Sequence, residues 1–168
     1  MGKQAGRQGK ELMKTHFAEV LARESARLAG ITDGAKLSCW QRKLVEELMT
    51  PDSPYARALR QTGGGSDRAE FLDRWRALIE DAVRELVHRR AMGASDSASG
   101  PPDRAAGVDP HRTAVLVLAA LHGGSTLSQI AKNSWPLNAA LDLALAPFKA
   151  PSGPDSGETS CDPNRSVP

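Results

Sequence analysis

Aromatic residues make up only 4% of this 168-residue chain, and cysteine occurs twice, at Cys39 and Cys161. Two cysteines without a CxxC spacing do not build the disulfide framework of a small secreted domain, so reduced thiols and a cytoplasmic setting are the expectation. Charge of one sign is also lacking: 22 Lys and Arg against 20 Asp and Glu leave a net +2. No global basic field announces a nucleic-acid binder. Long hydrophobic runs are missing as well. The longest unbroken one is Ala114 to Leu121, far short of the roughly 20 residues that span a bilayer, so no membrane partner is expected. The opening MGKQAGRQGKELMK has no apolar stretch of the kind found in a signal peptide. No run of alternating β-formers and no repeat of about 20–50 residues appears.

What is present is helical periodicity. Leu12, Phe17, Val20, Leu21 and Leu28 recur at helical spacing, closed by Gly30. A second segment from about Ala35 carries Leu37, Trp40, Leu44, Val45, Leu48 and Met49 on one face and stops at Pro51. Within the broken stretch that follows, Tyr55 to Arg60 can make a short helix. Phe71, Leu72, Trp75, Leu78, Ile79, Ala82, Val83, Leu86 and Val87 then mark a long amphipathic helix, with Ser66 as its cap and Asp67 and Glu70 in its first turn. Asp109-Pro110 opens a fourth long helix that continues to about Asn133, and Ser134-Trp135-Pro136 opens a fifth through Leu137, Leu141, Leu145 and Phe148. The expected architecture is an all-α antiparallel bundle of five to six helices over residues 11–149. A flexible N-terminus (1–10), an internal loop (93–110) and a disordered tail (150–168) complete the expected organisation.

Reactive chemistry is scarce. None of His16, His88, His111 and His122 has a histidine partner at i, i+3 or i+4 spacing, so no helical metal site is expected. Gly63-Gly64-Gly65 has no strand before it and no Lys-Ser/Thr after it, which makes a connector rather than a phosphate loop. No nucleophile–base–orienter set is visible, and the chain reads as neither an enzyme nor a cofactor binder. His122 interrupts an apolar helix beside Gly123-Gly124. A histidine there is a candidate pocket group, and the glycine pair is a candidate close approach of two helices.

These residues resemble a known family. The segment from Val108-Asp109-Pro110-His111-Arg112 through Phe148 is similar to the last two helices of tetracycline-repressor (TetR) family regulators, in particular the lincomycin-resistance repressor-like branch. Asp109-Pro110, Gly123-Gly124 and Pro136-Leu137 occupy the family's Asp-Pro, Gly-Gly and Pro-Leu places. FLDRWRALIEDAVREL, with Trp75, resembles the preceding long helix, and FAEVLARESARLAGITDGAKL resembles the helices that open the regulatory domain. Only sixteen residues precede Phe17, too few for the family's helix-turn-helix head of about 45 residues.

The resemblance implies an effector-binding and dimerisation domain without its DNA-binding head. It implies a homodimer through the last two helices, with Val117, Leu121, Gly123, Gly124, Leu141 and Leu145 as candidate interface residues. It also implies a small apolar ligand among the other helices, with Trp40, Leu44, Trp75, Leu78 and His122 as candidate pocket walls. Specific DNA binding is not expected of this chain unless a head is supplied. The alternative is a headless helical interaction protein that dimerises, with itself or with a full-length relative, and binds no ligand.

Overall fold

The computed structural model describes residues 2–60, 65–94 and 107–149. They form an all-α bundle: α1 (Gly2–Ala29), α2 (Gly34–Met49), α3 (Pro54–Arg60), α4 (Gly65–Ala94), α5 (Pro110–Ala131) and α6 (Trp135–Leu145), followed by a 3₁₀ turn (Ala146–Phe148). No strand occurs among the described residues. The expected loop 93–110 is described only at its two ends, and the expected tail lies outside the described residues. Helix α1 begins at Gly2, within the segment expected to form a flexible N-terminus.

Most boundaries have local causes. Asp33 caps α2 by accepting the Lys36 N–H at 2.9 Å, and Asp109 caps α5 by accepting the N–H groups of His111 (2.9 Å) and Arg112 (3.4 Å). Pro110 fills the first turn of α5, where its missing N–H costs nothing. The turn before α6 departs from expectation. Ser134 makes no side-chain cap; Asn133 Oδ1 accepts the Trp135 N–H at 3.0 Å instead. Similarly, α4 starts at Gly65, so Ser66 lies inside its first turn rather than at its cap.

α1 packs on α3 and α4, while α5 lies between α4 and α6 and also meets α2. One continuous core runs through all of them. Its aromatic part is a ladder of Phe17 stacked on Phe71 at 4.4 Å between ring centres, Phe71 tilted against Trp75 at 5.5 Å, and Tyr55 edge-on to Trp75 at 6.0 Å. The last turn is held to the C-terminal part of α4 by Arg90, which donates to the carbonyls of Pro147 (2.9 Å) and Phe148 (2.6 Å). Gly34 leaves room for that turn, since a Cβ there would lie 2.5 Å from the Phe148 carbonyl oxygen. Cys39 on α2 is disulfide-bonded, which corrects the expectation of a reduced thiol and removes it as support for a cytoplasmic setting.

Candidate functional site

Glu24 occupies the centre of the bundle with no solvent exposure. The periodicity of α1 places it there: Phe17, Val20, Glu24, Leu28 and Ile31 follow one another at three- and four-residue steps, all facing inward. Four side chains from four helices converge on its carboxylate. Tyr55 Oη donates to Oε1 at 2.7 Å, Trp40 Nε1 to Oε2 at 3.0 Å, and Trp75 Nε1 to the same Oε2 at 3.3 Å. Arg27 Nη1 lies 3.7 Å from Oε1, donates to the Tyr55 hydroxyl at 3.1 Å, and through Nη2 donates to Glu47 at 3.1 Å.

Burial pushes the Glu24 carboxyl above its ordinary value, although all three hydrogen bonds and Arg27 favour the ionised form. Burial, with the Glu24 charge beside it, likewise pushes the Tyr55 hydroxyl well up. Every donor aimed at the carboxylate is a side chain whose position the fold fixes. The arrangement therefore sets the relative placement of α1, α2, α3 and α4, as satisfied buried polar networks do.

This network corrects the expected pocket. Trp40, Leu44 and Trp75 are buried in the core, and both tryptophans are committed to Glu24. Leu78 is half-buried at the edge of a separate shallow cleft of about 240 Å³ against α1. His122 is exposed on α5 and lines none of the described clefts. Of the five residues only Leu78 lines one of the described clefts. Sequence periodicity carried the signal for Glu24, since it interrupts an apolar phase in α1.

The expected interface residues are redistributed too. Val117, Leu121, Leu141 and Leu145 are at most 1% exposed inside the chain, and so cannot offer surface to a second copy while this fold stands. Gly124 serves the contact between α5 and α6, where a Cβ would lie 2.9 Å from Leu137 Cα. Ser128 Oγ locks the same contact by accepting the Leu137 N–H at 3.0 Å. Gly123 alone of the six faces open space. Around it, Leu116, Ala119, Leu127 and Ile130 recur along the exposed face of α5, while Trp135 and Leu143 are exposed on α6. Among the residues whose side chains are described, six of the seven exposed large hydrophobic ones (Val115, Leu116, Leu127, Ile130, Trp135 and Leu143, with Met92 the seventh) belong to these two helices. Among the described residues α5 is also the one helix long and apolar enough to cross a membrane, and 39% of its apolar stretch is buried in the bundle.

Two smaller features complete the inventory. His111 Nδ1 lies 3.0 Å from both Glu80 Oε2 and Arg76 Nη1, joining the start of α5 to an ion-pair network on α4. No group of three or more metal-ligating side chains exists among the described residues. Comparisons with known proteins found no matching family, no matching curated protein and no matching solved structure.

Proposed function

We propose that this chain is the dimerisation and regulatory domain of a TetR-like transcriptional regulator, with two copies joined through the exposed faces of α5 and α6. The observation that carries the proposal is the concentration of exposed Leu116, Leu127, Ile130, Trp135 and Leu143 on these two helices. Exposed apolar surface of this extent marks an interaction site. The resemblance of residues 108–148 to the family's last two helices supports a second copy as the occupant. The protein would hold its DNA-reading heads, where these are supplied, at a fixed separation, and would itself make no specific DNA contact. Catalysis is no part of this reading.

A second reading, a helical interaction protein that dimerises and takes no small ligand, is favoured by one observation. Trp40 and Trp75 fill the place of the expected apolar pocket and are hydrogen-bonded to Glu24. The exposed Trp135 gives an assay for the dimer that both readings share. Concentrating the protein should shift the Trp135 emission to the blue and protect it from acrylamide, read as the difference between wild type and Trp135→Phe. Emission independent of concentration, in a protein that remains monomeric, would refute both. Small apolar compounds that raise the melting temperature would favour the regulator over the ligand-free reading.

A further inference from the structure

A third cleft, of about 350 Å³, opens where the C-terminal ends of α2, α3 and α5 meet. It is roomier than the other two described clefts, of about 280 and 240 Å³, and falls within the size range of small-molecule sites. Leu48, Met49 and Pro51 form an apolar wall; Arg60, Gln129 and Lys132 supply the polar part, and no carboxylate lines it. Neither Arg60 nor Lys132 has an ion-pair partner among the described residues: the Arg60 Nε–H is spent on the Ala56 carbonyl at 3.2 Å, and the nearby Asp52 carboxylate is turned to Arg57.

The backbone adds an independent observation. Lys132 sits at φ 52°, ψ 33°, and closes α5 in the manner of a Schellman motif, with its own N–H and that of Asn133 directed to the Ser128 carbonyl. Glycine is the usual residue at that position, with asparagine a poorer second, because a Cβ crowds the left-handed conformation. Among the described residues the other non-glycine residue with positive φ is Asp52, next to Pro51 in the chain but outside the lining of the cleft. Aspartate tolerates that conformation through its short polar side chain; lysine has no such compensation. A long cation therefore stands at a strained position where a glycine would close the helix better, and it stands at the rim of a cleft that lacks negative charge. Strained positions of this kind cluster at ligand sites.

We propose that this cleft binds a carboxylate carried on a short apolar chain, with Arg60 and Lys132 holding the carboxylate and Leu48, Met49 and Pro51 covering the chain. Guanidinium and carboxylate match as a two-pronged pair, and the ammonium adds a point charge. None of the residues that line the cleft is among Leu116, Leu127, Ile130, Trp135 and Leu143, so its test does not depend on dimerisation.

Calorimetric titration of the 168-residue chain with sodium decanoate, decyltrimethylammonium and acetate tests this. Decanoate should saturate a single site. Decyltrimethylammonium, which has the same chain and the opposite charge, should bind about tenfold more weakly or not at all, and acetate should give no measurable heat. Lys132→Gly should raise the melting temperature by relieving the backbone while weakening decanoate about tenfold, and Arg60→Gln should weaken it similarly. The proposal is overturned if decanoate fails to bind at millimolar concentration, if the cationic analogue binds equally, or if Lys132→Gly retains full affinity.

Discussion

Replacing Glu24 separates the worth of its charge from the worth of its shape. In Glu24→Ala, three buried donors, Tyr55 Oη, Trp40 Nε1 and Trp75 Nε1, lose their acceptor, and each stranded donor costs about 1–3 kcal/mol. Some of that is offset because a desolvated carboxylate disappears with them. The expected net loss is about 3–5 kcal/mol, in line with removal of one partner from a buried charged network. Glu24→Gln behaves differently. Its amide oxygen can accept from both tryptophans, but its amide nitrogen faces the Tyr55 hydroxyl, which loses its acceptor, so the change should cost about 1–3 kcal/mol at neutral pH, less than Glu24→Ala.

The two proteins should also diverge with pH. Burial raises the folded carboxyl above its unfolded value, so the contribution of Glu24 to stability is complete below the unfolded value of about 4.3 and is lost as pH rises through the folded one. Urea unfolding between pH 4 and 8 should therefore show wild type losing stability relative to Glu24→Gln as pH rises, with a constant difference above the transition. A pH-independent difference, or a Glu24→Ala protein as stable as wild type, would refute the account of this network.

Three further outcomes are expected. Gly123→Ala should stabilise the helix by up to about 1 kcal/mol, because nothing lies within 4 Å of the added Cβ; Gly124→Ala should lose about 1–3 kcal/mol, because its Cβ meets the Leu137 backbone, and paired thermal melts check both. Acid should destabilise the protein through Asp33, held below the ordinary carboxylate range by the Lys36 N–H, and through Asp142, held there by Gln41 and Lys149 against the opposing effect of burial. Their contribution is present above the ordinary range of about 4 and is lost as pH falls through the lowered values, so Asp33→Asn and Asp142→Asn should each flatten the fall in melting temperature below pH 4. Finally, gel-shift assays with the 168-residue chain should show no sequence-selective DNA binding at physiological salt, since weak phosphate contacts alone carry no sequence information.

The helices were legible because apolar spacing and helix punctuation agree. Pro51 follows α2, Asp109-Pro110 begins α5, and the short helix expected at Tyr55–Arg60 forms one residue longer as Pro54–Arg60. What periodicity cannot distinguish is two apolar faces on one helix. Val117 and Leu121 face the bundle, whereas Leu116, one residue from Val117, and Leu127, six residues from Leu121, face solvent; all four satisfy the same pattern, and only the placement of α4 and α6 around α5 decides between them. Gly123 and Gly124 were separated for the same reason, one open and one against Leu137. The expected pocket failed through a different cause. Two tryptophans on apolar faces can line a cavity or fill it, and the choice is made by Glu24, a residue whose role depends on partners 16 to 51 positions away in the chain. The His122 side chain was misplaced by the same ambiguity of face.

Sedimentation equilibrium of wild type and of Leu127→Glu/Ile130→Glu tests dimerisation through α5 and α6 most directly. Both residues are exposed within the chain, so the substitutions leave the core intact, while two unpaired charges in a dimer interface would cost several kcal/mol. The account predicts a wild-type dimer and a folded monomeric variant with an unchanged circular dichroism spectrum. A wild-type monomer at micromolar concentration, or a dimer that survives both substitutions, would contradict it.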